Sequence, residues 1–164
     1  MRSMKVRKAT LADAAVIAEF NRQLAWETEQ TRLDPCRLLR GVRSVLRDPE
    51  KGVYFVADLG GAVVGQLLIT YEWSDWRNGS FWWIQSVYVA PAFRRRGVLR
   101  ALFEHVHRLA RSRRDVCGLR LYVDMRNRRA QTVYKKLGLA PSCYRVFETD
   151  FVLANMNPKR LQPR

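Results

Sequence analysis

The chain has 164 residues, 48% hydrophobic and 27% charged, with a formal net charge of +15. That is enough for one domain with a real core, and no apolar run approaches the ~20 residues of a membrane helix, so no membrane partner is expected. Thirty Lys+Arg against fifteen Asp+Glu favours polyanionic partners: nucleotides, nucleic acid or an acidic protein.

Met1 to Arg7 enters an alternating pattern with no apolar leader, so a cytoplasmic location is expected. Met4 to Ala9 reads as a first strand. Thr10 and Asp13 form a capping-box pattern that opens a helix with Ala14, Ile17, Ala18, Phe20, Leu24 and Ala25 inward. Asp34-Pro35 starts a second helix, with Leu38, Leu39, Val42, Val45 and Leu46 on its apolar side, and Asp48-Pro49 ends it. Val53 to Asp58 and Val63 to Tyr71 read as a hairpin around Leu59-Gly60-Gly61-Ala62. Residues 72 to 80 (EWSDWRNGS) read as a polar and aromatic connection.

Phe81 to Val89 is expected as the central strand. A helix follows from Arg96 to about Arg113, with Leu99, Leu102, Phe103, Val106, Leu109 and Ala110 inward. Gly118 to Val123 reads as a strand, Asn127 to Leu137 as a helix capped by Gly138, and Tyr144 to Leu153 as a last strand. Residues 155–164 read as a basic tail, leaving a single domain over 1–154. The order β-αα-βββ-α-β-α-β predicts an α/β protein, a mixed sheet with helices on both faces. Cys36, Cys117 and Cys143 are odd in number and far apart, and with His105 and His107 they make no convincing metal set. No metal is expected, and Cys117 reads as a small core residue.

The chemistry concentrates after the central strand. Arg94-Arg95-Arg96-Gly97-Val98-Leu99-Arg100 opens a helix. Helix-start N–H groups lack intrahelical partners and carry the positive dipole end, while Gly97 permits close approach, so the segment suits a phosphate-bearing cofactor. Residues 94–129 hold twelve arginines against three acids, Glu104, Asp115 and Asp124. Two strands, 81–89 and 118–123, each lead into a helix, which should bring both helix starts to one sheet edge. The second helix carries Asn127, Ala130, Tyr134 and Leu137 on one face. A tyrosine there is protonated at neutral pH and can serve a departing thiolate; taken singly, Asn127 is equally a helix cap and Tyr134 a half-buried aromatic.

Together these segments resemble the GNAT superfamily of N-acetyltransferases. Arg94 to Leu99 is similar to its acyl-CoA loop, Q/R-x-x-G-x-G/A, and Asn127-x-x-Ala130-x-x-x-Tyr134-x-x-x-Gly138 to its later signature. The resemblance spans nearly the whole chain. It implies a mixed, mostly antiparallel sheet and acetyl-CoA as co-substrate. It also implies that the N–H groups of Arg95 to Arg100 hold the pyrophosphate, that main chain around Val87, Tyr88 and Val89 meets the pantetheine arm, and that Asn127 bonds the same region. Val87 N–H would then face the oxyanion, and Tyr134 would protonate the thiolate. Leu99 departs from the family's Gly or Ala; its side chain is expected to point inward.

For the acceptor, a carboxylate or a water it holds must take the amine's proton. Glu27 and Glu29 at the end of the first helix, and Glu72 and Asp75 after the third strand, are the candidate acids. Trp73 and Trp76 interleave the latter pair, making either a cradle for a cation or a hairpin tip packed down on the protein. Leu67 to Val89 is similar to the diamine acetyltransferases, except that Gln85 stands where those place an acid. The reading is an acetyl-CoA-dependent N-acetyltransferase acting on a primary amine, small molecules favoured. The alternatives are a protein N-terminal or lysine acetyltransferase, or a non-catalytic module of the same fold that binds nucleic acid without sequence preference. A homodimer is compatible with the family.

Overall fold

In the computed structural model, residues 4–152 are described. They divide into two compact units at Arg128/Arg129. The first unit holds a five-stranded sheet in sequential order. Its strands are β1 (Met4–Lys8), β2 (Val53–Leu59), β3 (Ala62–Ser74), β4 (Gly79–Val89) and β5 (Val116–Leu121). The first four are antiparallel and β5 runs parallel to β4. Three helices accompany the sheet: α1 (Ala14–Glu29), α2 (Pro35–Arg47) and α3 (Val98–Arg111).

Alternation along β2 divides the core into two layers. Tyr54 and Val56 pack with Leu68 of β3, Ala14 and Ile17 of α1 and Val42 of α2, backed by Leu38, Leu39, Val45 and Leu46. Phe55 points the other way, its ring 5.2 Å from His105 of α3. Helices therefore cover both faces, as the element order predicts. Both helix starts follow the expected chemistry. The Asp13 carboxylate accepts from Thr10 N at 2.7 Å and from two Arg7 nitrogens at 2.8 and 2.9 Å, and Asp34 Oδ1 caps α2 by accepting from Arg37 N at 2.6 Å.

Several expectations are corrected. The stretch 72–80 is mostly strand: Glu72, Trp73 and Ser74 pair with Phe81, Ser80 and Gly79. Only Asp75–Arg77 turn, in a single 3-10 turn closed by Asn78 at φ +46°. Paired aromatic and β-branched neighbours outweigh the polar composition there. In α3, Val98 is buried at the first turn while Leu109 is 37% exposed, so the buried face runs through Val98, Leu102, Phe103, Val106 and Ala110. β5 begins two residues early, and Cys117 in it is half-buried with a free thiol.

The second unit contains α4 (Arg128–Lys136) from Arg129 onward. Gly138 at φ +88° ends it, and Leu139 N donates back to Tyr134 O at 3.0 Å, the glycine-terminated closure expected from the sequence. Residues 144–152 form no strand. Their alternating pattern supplies propensity, but a strand exists only with a ladder partner, and none pairs with them among the described residues. Leu153 and the tail 155–164 lie outside the described residues.

Candidate active site

β4 pairs with β5 only from Ser80 to Ile84, opposite Val116 to Leu121. Beyond Ile84 it continues to Val89 against β3 alone. Among the described residues, Gln85 to Val89 thus present an edge with no strand beside it, and unspent main-chain groups on such an edge are available to a ligand. A bulge sits in the same segment. Gln66 pairs with Tyr88 and Leu68 with Gln85, so Ser86 and Val87 together oppose Leu67. Ser86 has φ +43°, unusual for a residue with a Cβ. A bulge releases one residue from the ladder and re-aims its main chain.

The chain leaves β4 through a 3-10 turn at Pro91–Phe93 and a loop, Arg94–Gly97, before α3. The expected helix start at Arg96 is corrected. Arg95 at φ +63° and Gly97 at φ +80° exclude a right-handed helix there, so Gly97 is instead the residue that precedes the first turn. A side chain at Gly97 would meet nothing within 4 Å; the glycine is required by the backbone turn and leaves open space above it. The first N–H groups of α3 lack intrahelical partners, the earliest helical bond being Ala101 N to Gly97 O at 2.9 Å. An open, cationic helix start beside an unpaired strand edge fits a long ligand that carries phosphate at one end.

Arg94 serves the protein itself. Its N–H donates to Pro91 O at 3.3 Å, and its side chain to Val89 O at 2.9 Å and to Glu27 Oε2 at 2.7 Å. This narrows the candidate anion site to Arg95, Arg96, Gly97, Val98, Leu99 and Arg100. Within it Val98, not Leu99, is driven into the core; Leu99 is half-buried. Tyr88 turns its side chain to α1, its hydroxyl 2.7 Å from Gln23 Oε1 and from Glu27 Oε1. Its part in any ligand contact is therefore main chain, as Val87 and Val89 also offer.

The candidate acids separate. Glu27 reaches the open half of β4 through Tyr88 and Arg94. Partial burial pushes its carboxyl up, but the Tyr88 hydroxyl and the Arg94 guanidinium outweigh that and hold it below its ordinary value. Burial, then the Glu27 carboxylate, push the Tyr88 hydroxyl up to about 12. Glu29 is the last residue of α1. Glu72 accepts from Trp83 Nε1 and from Arg120 Nη1 at 2.6 Å. It faces Phe81, four residues before Gln85, about 13 Å along the strand. Asp75 lies further still, in the exposed turn, accepting from Trp76 N at 2.8 Å. Trp73 and Trp76 are 62% and 87% exposed, so they are not packed down on the protein. Gln85 stands at the start of the open edge, its amide 3.4 Å from Thr70 Oγ1. Asn127 immediately precedes α4, with its N–H donating to Asp124 O at 2.9 Å. Tyr134 lies within α4, and burial pushes its hydroxyl above the ordinary tyrosine value.

Two polar residues escaped the sequence reading. Asn21 and Gln66 are 9% and 0% exposed. Asn21 falls on the apolar face of α1, one turn after Ile17, and Gln66 interrupts the apolar run Val63 to Leu68. A polar residue inside such a pattern was the signal available.

A family model described as the acetyltransferase (GNAT) family matches residues 14–139. The chain belongs to the GNAT family of acetyltransferases. It is an N-acetyltransferase that takes its acyl group from acetyl-CoA. A solved structure of a possible acetyltransferase from Clostridium difficile 630 is 40% identical, with a TM-score of 0.86, covering 91% of this chain and 98% of that one. A predicted acetyltransferase from Clostridium acetobutylicum, solved with acetyl-CoA, is 20% identical with a TM-score of 0.73 over 93% of this chain and 98% of that one. The aminoglycoside N-acetyltransferase AAC(6')-Iy, solved with CoA, is 18% identical with a TM-score of 0.72 over 93% and 97%. These last two share the fold. No curated protein matches the chain. Among the described residues no cluster of His, Cys, Asp and Glu suits a metal ion, and no helix is long and apolar enough to cross a membrane.

Proposed function

We propose that the protein acetylates a primary amine on a small molecule by direct attack on the thioester of acetyl-CoA, in the cytoplasm. The observation that carries this reading is the unpaired edge of β4 from Gln85 to Val89, running into the open loop at Gly97. In this reading the N–H groups of Arg95 to Arg100 hold the pyrophosphate, and the main chain of Val87 to Val89 lies along the pantetheine arm. Asn127 bonds the same arm. Val87 N–H donates to the thioester oxygen as negative charge develops on it.

An attacking amine must be neutral, and a free alkylamine has a pKa near that of lysine, roughly 10.4. Glu27 is the acid we assign to the amine's proton, directly or through water, because it is fixed beside the open half of β4. Glu29, Glu72 and Asp75 then act at most as attractors for the cationic form. Tyr134 keeps its proton at neutral pH and gives it to the departing thiolate. The residues 1–154 serve this one activity.

A panel of primary amines, assayed by release of free coenzyme A thiol, tests the reading. Saturable turnover on a small amine, reduced at least tenfold in Glu27→Gln, is expected. Turnover confined to peptide N-termini or lysines would overturn the small-molecule assignment, and full activity of Glu27→Gln would remove Glu27 as the proton acceptor.

A further inference from the structure

Asn21 of α1, Tyr54 of β2, Gln66 of β3 and Ser86 of β4 form a polar ring inside an otherwise apolar layer. The first three are 9%, 4% and 0% exposed. Gln66 Nε2 donates to Asn21 Oδ1 at 2.5 Å and to Ser86 O at 3.3 Å. Asn21 Nδ2 donates to the Tyr54 hydroxyl at 3.0 Å. The ring therefore holds Ser86 by its carbonyl. Ser86 is also the residue held at φ +43° in the β4 bulge.

This arrangement works against stability. Gln66 stands between Gly65 and Leu67 in a wholly buried stretch of β3, and its Oε1 has no partner. A buried acceptor left unsatisfied is costly, and an apolar residue of the same length avoids that cost. A left-handed serine is strained, and such strain persists only where the surroundings over-determine it. Both costs converge on one place, the bulge that precedes Val87.

We propose that Asn21, Tyr54 and Gln66 are positioning residues: the ring locks Ser86 in its left-handed conformation and so fixes the direction of the Val87 N–H. The proposal rests on the reading that Val87 serves the acyl group. The three side chains touch neither substrate nor reacting atoms; they act through the main chain of Ser86. A donor held in the direction of the developing charge needs no reorganisation during the reaction, which is why fixing it affects rate more than binding.

Gln66→Met keeps the side chain's length and removes both donated bonds. We expect kcat to fall about tenfold while the acetyl-CoA dissociation constant stays within twofold. Glycine adopts φ +43° without strain, so adding Ser86→Gly should restore kcat at least threefold, a recovery that a purely structural role does not give. Should Gln66→Met fail to fold, Tyr54→Phe tests the same ring, with a loss of about threefold in kcat. A folded Gln66→Met with wild-type kcat overturns the proposal. So does equal loss of kcat and acetyl-CoA affinity with no recovery from Ser86→Gly. If the unaltered protein binds and turns over acetyl-CoA but the variants match it, the ring inference alone falls; if the unaltered protein does not bind acetyl-CoA, the functional reading falls and the ring's role with it.

Discussion

Tyr134 and Gly97 make the sharpest demands on single side chains. Burial raises the Tyr134 pKa above its ordinary value, so the hydroxyl is a proton donor throughout the neutral range and its titration puts no break in a rate profile there. Tyr134→Phe removes the proton and keeps the ring. The expected result is a loss in kcat of about a hundredfold, the usual scale of general acid catalysis, with acetyl-CoA affinity measured by calorimetry unchanged. Gly97 is constrained differently, by its φ of +80°. A Cβ has room there but not the conformation; the left-handed backbone costs an L-residue roughly 1–2 kcal/mol. Relief of that strain moves the loop, and Gly97→Ala should weaken acetyl-CoA binding by roughly five- to thirtyfold in the same titration.

At the scale of elements, the junction of β1 and α1 hangs on Asp13. Its carboxylate accepts from Arg7 and from Thr10 and is 6% exposed. The Arg7 guanidinium, opposed by burial, holds Asp13 below its ordinary pKa. A lowered folded pKa means stability that is fully present above the unfolded value of about 3.9 and lost as pH falls through the folded value. Asp13→Ala should therefore cost about 1–3 kcal/mol at pH 7, and the gap between variant and parent should narrow in denaturant melts below about pH 4. Close packing sets a second limit. A Cβ at Gly65 would lie 2.9 Å from Val98 Cγ1 and 3.1 Å from Tyr88 O. Gly65→Ala should thus push the start of α3 from the sheet and lower both melting temperature and acetyl-CoA affinity.

Elements with strong local signals were legible in the sequence. Asp34-Pro35 fixed the start of α2, Gly138 the end of α4, and the Gly60-Gly61 pair the β2–β3 turn. What escaped depends on partners distant in sequence. The pairing of Glu72–Ser74 with Gly79–Phe81 turned an expected loop into strand, and among the described residues 144–152 finds no strand to pair with. The motif marked Arg94 to Leu99 as a loop leading into a helix, yet its shape was not legible: left-handed Arg95 and Gly97 delay the helix to Val98. The bulge at Ser86 arises from the register between β3 and β4, which periodicity alone does not encode.

For the whole molecule, charge and pH give the remaining expectations. With +15 overall, the protein attracts a polyphosphate ligand at long range, and that attraction is screened over about 10 Å at 0.1 M salt. Because the amine must lose its proton before attack, kcat/KM should rise tenfold per pH unit through neutrality and level off near the amine's own pKa, roughly 10.4 for an alkylamine. Glu27, held below its ordinary pKa by Tyr88 and Arg94 against partial burial, is already ionised there and adds no break between pH 6 and 8. A pH–rate profile on an active amine checks this.

The central claim is that the open edge of β4 and the loop at Gly97 form the acetyl-CoA site. Calorimetric titration of the purified protein with acetyl-CoA, with coenzyme A and a DNA oligomer as controls at matched salt, tests it most directly. Saturable one-site binding of acetyl-CoA at micromolar concentration, weakened in Gly97→Ala and only modestly weakened as salt screens the long-range attraction, is the predicted result. No saturable acetyl-CoA binding, with DNA bound instead and lost steeply as salt rises, would contradict it and make the arginine-rich surface the functional one.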